Sequence, residues 1–242
     1  MAESLLECRG LSAGYGGMAV VRDLNLHVDA GEIVGLFGPN GAGKTTTLLT
    51  LAGELPPLAG QVLWQGAPTK SPLHRRAREG LALVTEERSV FMEMTTAENL
   101  RVGRVTRDEV TDTFPELGRL MNRPAGLLSG GEQQMLTLAR ALARGRKVVL
   151  ADELSLGLAP LVVSRMLEKL RAIATERQTG VLLVEQHVRQ ALEIVDRVYV
   201  LQRGRVVLEG SADDMRDRMV KLEDAYLSGS SPELLLEADS VA

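Results

Sequence analysis

The periodicity of apolar and polar positions changes along the chain and divides it into three parts. Residues 5–9 and 19–28 carry alternating and β-branched residues on either side of the turn-rich stretch AGYGG, which predicts two antiparallel strands. The apolar run EIVGLF, residues 32–37, predicts a buried strand that leads directly into Gly38, and TTTLLTLAG predicts a helix ended by Gly53. QVLWQG predicts another short strand.

Helical patterns dominate the second part, from about residue 87 to residue 130, and predict a helical lobe. Two Thr-x-x-Glu sequences, at residues 95–98 and 106–109, have the spacing of capping boxes, so each predicts the start of a helix. The second helix presents apolar residues on one face, although Pro115 must disturb it.

The third part returns to alternating helices and strands. It predicts a helix to about residue 144, the strand KVVLA, a helix over residues 160–176, the strand VLLV, a further helix and the strand RVYVLQ. This order predicts an α/β fold with a parallel sheet core, to which the antiparallel β subdomain and the short helical lobe are attached. We expect residues 1–227 to form one unit and residues 228–242 to be a flexible tail.

Composition narrows the functional classes. The 242 residues carry a net charge of −4, so we expect no general attraction to nucleic acid or anionic lipid. The single cysteine, Cys8, leaves no internal disulfide and favours a reducing compartment. No stretch approaches the roughly 20 apolar residues that cross a bilayer, and the N-terminus lacks the apolar core of a signal peptide. We therefore expect a protein that is neither exported nor membrane-spanning.

The motif GPNGAGKT, residues 38–45, predicts a phosphate-binding loop, because it follows a predicted strand and precedes a predicted helix. In such a loop, backbone N–H groups converge on phosphate oxygens, Lys44 reaches the β and γ phosphates, and Thr45 offers its hydroxyl to Mg²⁺. A glycine-rich turn with a surface lysine is the alternative. The motif predicts ATP and Mg²⁺ as cofactors. The predicted nucleotide-binding residues are Gly38, Pro39, Asn40, Gly41, Ala42, Gly43, Lys44, Thr45 and Thr46.

Two acidic residues follow a later strand. KVVLADE places Asp152 and Glu153 at the carboxyl end of a predicted buried strand, where open α/β sheets place their ligands. Asp152 can hold Mg²⁺ through water, and Glu153 can orient and polarise the water that attacks the γ-phosphate. The two acids could instead be solvated turn residues, but the phosphate loop in the same chain favours the catalytic interpretation.

LLSGGEQQ, residues 127–134, is a second glycine-containing motif. Ser129 and Glu132 have the spacing of a capping box, yet a cap does not require Gly130 and Gly131. Glycines at a helix N-terminus let a large anion approach the backbone closely. Because the first loop already binds its own nucleotide, we hypothesise that this second surface serves the nucleotide of another copy.

The three motifs, in this order, resemble those of the nucleotide-binding subunits of ATP-binding cassette (ABC) transporters, and the resemblance extends from Tyr15 to about Leu227. It implies the phosphate-loop ATPase fold of that family and a head-to-tail dimer that sandwiches two ATP molecules. Tyr15 stands where an aromatic ring stacks on adenine; a strand-end tyrosine is the alternative. The resemblance also implies contacts with the partner's nucleotide from Ser129, Gly130, Gly131 and Gln133.

Several positions depart from the family pattern. Glu86 stands where a glutamine is usual, and its carboxylate can still meet Mg²⁺ and water. Leu154 replaces a common proline and Ala159 a frequent aspartate, which puts the usual communication across the dimer in doubt. The family commonly has a histidine that senses the γ-phosphate just beyond a strand. In this sequence the position that corresponds to this histidine is occupied by Gln186, and His187 follows one residue later. Both are therefore candidate catalytic residues, and Gln186 is favoured.

The amino-acid sequences of three segments, residues 84–100, 152–163 and 182–210, are most similar to those of ATPases from branched-chain amino-acid importers and related urea or amide importers. The resemblance implies a peripheral subunit at the cytoplasmic face of the membrane that drives uptake with ATP. Its implied partners are two membrane-spanning permease subunits, a second ATPase subunit and, indirectly, an external substrate-binding protein. The alternatives are an ATPase of a lipid or polysaccharide exporter and a soluble cassette protein acting on ribosomes or DNA. The acidic net charge disfavours nucleic acid.

SVFMEM lies where the family receives a cytoplasmic helix of the permease. Phe91, Met92 and Met94 could form an adaptable contact surface there, or they could fill the core of the lobe. The lobe is also shorter than expected for the family, which predicts a trimmed coupling surface.

Overall fold

The computed structural model describes residues 4–87, 89–142, 145–185 and 188–217. The strands in chain order are β1 (Ser4–Tyr15), β2 (Met18–Asp29), β3 (Ile33–Phe37), β4 (Ala59–Trp64), β5 (Ala67–Thr69), β6 (Leu81–Val84), β7 (Val148–Asp152), β8 (Gly180–Val184), β9 (Arg197–Gln202) and β10 (Arg205–Ser211). The helices are α1 (Lys44–Ala52), α2 (Leu73–Glu79), α3 (Thr96–Val102), α4 (Arg107–Thr113), α5 (Pro115–Gly118), α6 (Gly130–Ala141), α7 (Pro160–Arg177), α8 (Val188–Leu192) and α9 (Ala212–Asp217). A short 3₁₀ helix covers Ala125–Leu127.

The first sheet is antiparallel, with strand order β2-β1-β4-β5. Strands β1 and β2 pair as far as Tyr15 and Met18, so most of AGYGG, predicted as a turn, is strand, and only Gly16 and Gly17 turn the chain. The absence of a side chain at Gly14 explains the difference, because a Cβ there would lie 1.9 Å from the Met18 carbonyl oxygen. Glycine therefore lets the two strands approach closely up to the tip of the hairpin.

The second sheet has strand order β10-β9-β3-β8-β7-β6, and all its strands run parallel except β10. The α/β fold predicted from the sequence is confirmed. Strands β3, β7 and β8 are buried along their whole length, as expected for parallel strands covered on both faces. Their carboxyl ends meet at one edge of the sheet, and this edge carries the predicted phosphate loop and acidic pair.

Two hydrophobic cores flank the parallel sheet, and β3 contributes to both. Ile33 and Phe37 pack into the core shared with the helical lobe and α7, whereas Val34 and Leu36 pack into the core between the two sheets. Helix α1 lies in this second core, where Leu48 and Leu51 are almost fully buried. The packing of α1 against both sheets fixes the position of its N-terminus.

The first helix of the lobe begins where the sequence predicts it. Helix α3 starts at Thr96 behind the predicted capping box of Thr95, and residues 89–95 before it form no helix. The second predicted capping box, at Thr106, is also present. Pro115 ends one helix and begins the next, because proline is tolerated at the first position of a helix but not in its interior.

None of the described helices combines the length and apolarity that a membrane span requires. The predicted tail, residues 228–242, lies outside the described residues, so its flexibility stays a prediction.

Candidate functional site

The segment between β3 and α1 has the backbone of a phosphate loop. Gly38 has a φ of 148°, and a Cβ there would lie 2.1 Å from the Leu201 carbonyl oxygen, so only glycine fits. Gly41 has a φ of 79°, and a Cβ there would have no atom within 4 Å. Gly43, with a φ of 105°, precedes the first turn of α1. The loop is therefore open around Gly41 and ends at the positive end of a nine-residue helix, which suits an anion.

Lys44 lies across the base of the loop. Its Nζ donates hydrogen bonds to the carbonyl oxygens of Gly38, at 2.9 Å, and Pro39, at 3.1 Å, and the residue is 6% exposed. Burial lowers the pKa of Lys44, and the carboxylates of Glu153 and Asp152 oppose this shift. A phosphate reaching the loop would replace the two carbonyl contacts by stronger, charge-assisted ones.

Thr45 and Asp152, 107 residues apart in sequence, meet at the edge of the sheet. The Thr45 hydroxyl donates to Asp152 Oδ2 at 2.8 Å, and Asp152 is 4% exposed. Burial raises the pKa of Asp152. The hydrogen bond from Thr45 opposes the shift, and the charges of Glu153 and Glu86 add to it. Glu86 thus lies near enough to Asp152 for the two charges to interact.

Glu153 adopts an uncommon backbone conformation directly after β7. Its φ of 49° is in the left-handed region, and its N–H donates to the Val184 carbonyl oxygen at 2.9 Å. This turn directs the residue away from the strand that ends with Asp152. Left-handed conformations of non-glycine residues cluster at functional sites, which agrees with a catalytic interpretation of Glu153.

Tyr15 lies at the tip of the β1–β2 hairpin and is 51% exposed. The hairpin packs on the phosphate loop, since a Cβ at Gly43 would lie 2.7 Å from a methyl group of Val21. An exposed aromatic ring on the element that covers the loop is compatible with stacking on a base.

The donor set suits nucleotide with magnesium better than a metal held by protein alone. The described residues contain no group of three or more His, Cys, Asp or Glu side chains able to hold a metal ion. Mg²⁺ in phosphate-transfer sites uses one or two carboxylates together with substrate phosphates and water. Thr45, Asp152 and Glu86 beside an open anion-binding loop fit this arrangement.

The Ser129 turn lies on the helical lobe and begins α6. The Ser129 N–H and hydroxyl both donate to Glu132 Oε2, at 2.8 and 2.9 Å, and the Ser129 oxygen accepts the Glu132 N–H at 3.3 Å. A Cβ at Gly131 would lie 3.3 Å from Val162 Cγ1 at the start of α7, whereas Ser129 is exposed. The glycines thus keep an exposed helix N-terminus free of side chains.

Gln133 is placed differently from the prediction of a contact with the partner's nucleotide. It is 7% exposed, and its Nε2 donates to the Ala125 carbonyl oxygen at 3.0 Å and lies 3.7 Å from Met92 Sδ. Gln133 lies on the face of α6 that points into the helical lobe, so its side-chain amide forms a hydrogen bond within the lobe. The candidate γ-phosphate residues Gln186 and His187 lie outside the described residues.

Sequence reasoning overlooked Glu185, which directly follows β8 and is 1% exposed. The signal was present, because an acidic residue ending the apolar run VLLV must be buried or at a strand end. A buried acid next to the predicted catalytic edge marks a residue with a specific role.

Comparisons with known proteins show which family this chain resembles. The family model described as ABC transporter matches residues 21–155, more than half of the chain. The high-affinity branched-chain amino acid transport ATP-binding protein BraG of Pseudomonas aeruginosa is 39% identical over 90% of this chain and 97% of its own length. The lipopolysaccharide export system ATP-binding protein LptB of Acidithiobacillus ferridurans is 38% identical over 92% of this chain and 98% of its own length.

Solved structures show the same fold. The structure of an ATP-binding subunit of an ABC transporter is 29% identical, has a TM-score of 0.76 and covers 96% of this chain and 98% of its own. An ATP-binding cassette in its ADP conformation is 22% identical, with a TM-score of 0.80, and covers 88% of this chain and 94% of its own. With a matching family model, full-length relatives and a phosphate loop beside its acidic partners, the chain belongs to the ABC transporter family, as an ATP-binding and ATP-hydrolysing subunit.

Proposed function

We propose that this ATPase energises a membrane importer for branched-chain amino acids or a related small amide, from the cytoplasmic face of the membrane. The similarity to a branched-chain amino acid transport protein supports the proposal. The segments ELSLGLAP, residues 153–160, and VEQ, residues 184–186, support it as well, because they resemble the corresponding segments of such importer ATPases. An exporter ATPase is the second candidate, because the similarity to a lipopolysaccharide export protein is almost as high. Deletion of the gene should abolish ATP-dependent uptake of labelled leucine, isoleucine and valine, or of urea and small amides. Unchanged uptake of all of these together with an altered outer-membrane lipid would favour the exporter.

The observation that carries the proposed ATPase mechanism is the convergence of Lys44, Thr45 and Asp152 at one edge of the sheet. Backbone N–H groups of the loop bind the phosphates, and Lys44 releases its carbonyl contacts to bind the β and γ oxygens. Tyr15 stacks on the adenine. Thr45 and Asp152 would hold Mg²⁺ bound with ATP, with Glu86 meeting it through water, and the ion would neutralise the charge that develops on the phosphates. Gln186, or else His187, contacts the γ-phosphate.

Glu153 is the proposed general base. Its carboxylate accepts a proton from the water that attacks the γ-phosphate, while Asp152 stays with the metal. Glu153→Gln keeps the size of the side chain but cannot accept the proton. We expect ATP binding to remain and kcat to fall about 10²- to 10⁴-fold. Glu168→Gln, an exposed change on α7, is the matched control and should leave kcat unaltered. Near-normal turnover of Glu153→Gln would reject this role.

A second ATPase subunit, identical or paralogous, is the proposed partner at the Ser129 turn. The exposure of Ser129 and the absence of side chains at Gly130 and Gly131 support binding of the γ-phosphate held by the opposite subunit. Gln133 has its amide engaged inside the lobe, so we no longer include it in this contact.

The permease is the proposed partner at residues 89–94. Phe91 and Met92 are each 48% exposed, which supports a contact surface rather than a core, while Met94 is partly buried. Methionine and an aromatic ring suit an apolar groove that adapts to a helix. The external substrate-binding protein meets the permease and not this chain.

A further inference from the structure

Glu185 is a buried acid whose two oxygens both accept hydrogen bonds from Ser155. Its Oε1 accepts the Ser155 N–H at 3.0 Å, and its Oε2 accepts the Ser155 hydroxyl at 2.5 Å. Glu185 is 1% exposed and Ser155 is 4% exposed. Burying a carboxylate costs free energy unless hydrogen bonds compensate for the lost water. The two hydrogen bonds from Ser155 provide such compensation for Glu185.

The Glu185–Ser155 pair adjoins the proposed general base, Glu153, because Ser155 lies two residues after it in the sequence. Ser155 follows Glu153 with only Leu154 between them, and the Leu154 side chain is 2% exposed. The N–H of Glu153 donates to Val184, the residue before Glu185. Two groups at the end of β8 therefore hold the turn of residues 153–155: the Val184 carbonyl oxygen binds Glu153, and the Glu185 carboxylate binds Ser155. Leu154, between them, packs in the core.

This turn contains the left-handed Glu153. A non-glycine residue with φ near 50° costs on the order of 1 kcal/mol or more and persists only where its surroundings enforce it. The Glu185–Ser155 hydrogen bonds and the Glu153–Val184 hydrogen bond contribute to that enforcement. Without the two bonds to Ser155, Glu153 could relax to an ordinary conformation, and its carboxylate would move relative to the phosphate loop.

We propose that Glu185 and Ser155 are positioning residues for hydrolysis: they hold the turn that aims the Glu153 carboxylate at the attacking water. The proposal rests on the proposed role of Glu153 as the general base. It assigns a function to the hydroxyl of Ser155 and to the carboxylate of Glu185, which touch neither the phosphate loop nor the Thr45–Asp152 pair in the contacts described above. A displacement of about 1 Å at a reacting group can cost up to about 100-fold in rate.

The test uses the full-length protein and the variants Glu185→Gln and Ser155→Ala. Ser155→Ala removes the hydroxyl that donates to Glu185 Oε2. Glu185→Gln keeps an acceptor for the Ser155 N–H but removes the charge and replaces Oε2 by an NH₂ group, which cannot accept from the hydroxyl. We expect kcat for ATP hydrolysis to fall about tenfold in each, while the KM for ATP changes less than about twofold, because the phosphate loop is untouched. Glu168→Gln is the control for loss of a glutamate charge. If Glu185→Gln does not fold, Ser155→Ala carries the test, since it leaves the carboxylate and the Ser155 N–H paired.

Combination with Glu153→Gln separates positioning from general stability. Once the Glu153 carboxylate is gone, its alignment no longer matters, so Glu185→Gln should not lower the residual hydrolysis further. A further fall of the same size in the double variant would overturn the proposal, as would unchanged kcat in both single variants. If Glu153→Gln itself keeps normal turnover, the proposed function of Glu153 fails instead. Loss of turnover in Glu153→Gln with normal turnover in Glu185→Gln and Ser155→Ala would refute only the positioning role.

Discussion

Lys44 and Asp152 are both almost completely buried, and burial disfavours the charged form of each. It lowers the pKa of Lys44 and raises that of Asp152. Glu153 and Glu86 add negative charge around Asp152, so three carboxylates share the neighbourhood of one ammonium group. The nucleotide-free site therefore carries an excess of negative charge, which a divalent cation bound with the phosphates can neutralise.

The raised pKa of Asp152 predicts a conflict between stability and function. The ionised carboxylate weakens the folded state; this effect is absent below the ordinary pKa of the group and develops as pH rises through the raised folded value. Asp152→Asn should therefore raise the thermal midpoint of the nucleotide-free protein at pH 7, by about 2 to 4 °C for each kcal/mol gained, and the gain should vanish in acid. The same change should abolish magnesium-dependent ATPase activity. Thermal unfolding at several pH values measures the first effect.

The exposed Asp112→Asn is the control, since it removes the same charge without relieving burial. A lower midpoint for Asp152→Asn than for the unaltered protein at pH 7 would show that the Thr45 and Lys44 contacts outweigh the cost of burial.

Single residues of the site differ in how far the sequence could predict them. Thr45 and Asp152 follow from two rules, the phosphate-loop motif and the placement of ligands at carboxyl ends of parallel strands. Gln133 could not be placed, because the side of α6 that faces the lobe depends on how that helix packs on residues 89–95. Glu185 shows the same limit: its partner, Ser155, lies 30 residues earlier, and their pairing depends on the neighbouring positions of β7 and β8.

Residues 89–95 are an element without regular structure that side chains hold in place. Asn99 is fully buried; its Oδ1 accepts the Phe91 N–H at 2.9 Å, and its Nδ2 donates to the carbonyl oxygens of Phe91, Met94 and Thr95. Arg140 of α6 donates to the Ser89 carbonyl oxygen and places its guanidinium 5.3 Å from the centre of the Phe91 ring. One side chain from each of two helices thus fixes the surface proposed for the permease.

Asn99→Ala should release this element. The change leaves the Phe91 N–H without its acceptor, and it removes one donor from three carbonyl oxygens that each keep a backbone N–H partner. A buried donor left unsatisfied costs about 1 to 3 kcal/mol. We expect a clearly lower thermal midpoint and faster proteolytic cleavage within residues 89–95, while ATP binding by the phosphate loop is retained. Asn122→Ala, on an exposed residue of the same lobe, should change neither. Equal midpoints and cleavage rates for the two variants would show that other contacts hold the segment.

Elements were predictable where their periodicity was strong. The buried strands β3, β7 and β8 are continuous apolar runs, and the capping boxes mark the starts of α3, α4 and α6. Strands β5, β6 and β10 were missed, and each lies at the edge of a sheet. Strands β5 and β10 are partly exposed, so their pattern is weak, whereas β6 is a mostly buried run of four residues, too short for its period to identify a strand. The conformation of residues 89–95 could not be predicted, because it depends on contacts with Asn99 of α3 and Arg140 of α6, which no local pattern encodes.

At the scale of the whole molecule, the two surfaces suited to phosphate belong to different structural units. The phosphate loop joins β3 to α1 in the sheet core, whereas the Ser129 turn begins α6 on the helical lobe and packs against the start of α7. Because the N–H and hydroxyl of Ser129 are both bonded to Glu132, a phosphate held by the proposed second subunit would have to compete with that carboxylate. Formation of the proposed dimer would thus exchange an internal contact for one between subunits.

Glu132 should therefore set the ATP concentration at which the dimer forms. Hydrogen bonding, chiefly from the Ser129 N–H, lowers the pKa of Glu132, so a negative charge stands beside the turn at neutral pH. Glu132→Gln keeps a residue that supports a capping box and removes the charge that repels the incoming γ-phosphate. We expect the dimer to form at about fivefold lower ATP concentration. Sedimentation of the Glu153→Gln protein, in which ATP persists, measures this with and without the second change.

Glu98→Gln makes the same exchange in the capping box of α3, away from the Ser129 turn, and should leave the dimer midpoint unaltered. Comparison of the two variants separates the local charge at the Ser129 turn from the general effect of removing one acid from a protein of net charge −4. If both variants shift the midpoint equally, net charge governs association. If Glu132→Gln alone raises the required ATP concentration, its carboxylate assists the contact, for example by holding Ser129 in the conformation that the phosphate meets.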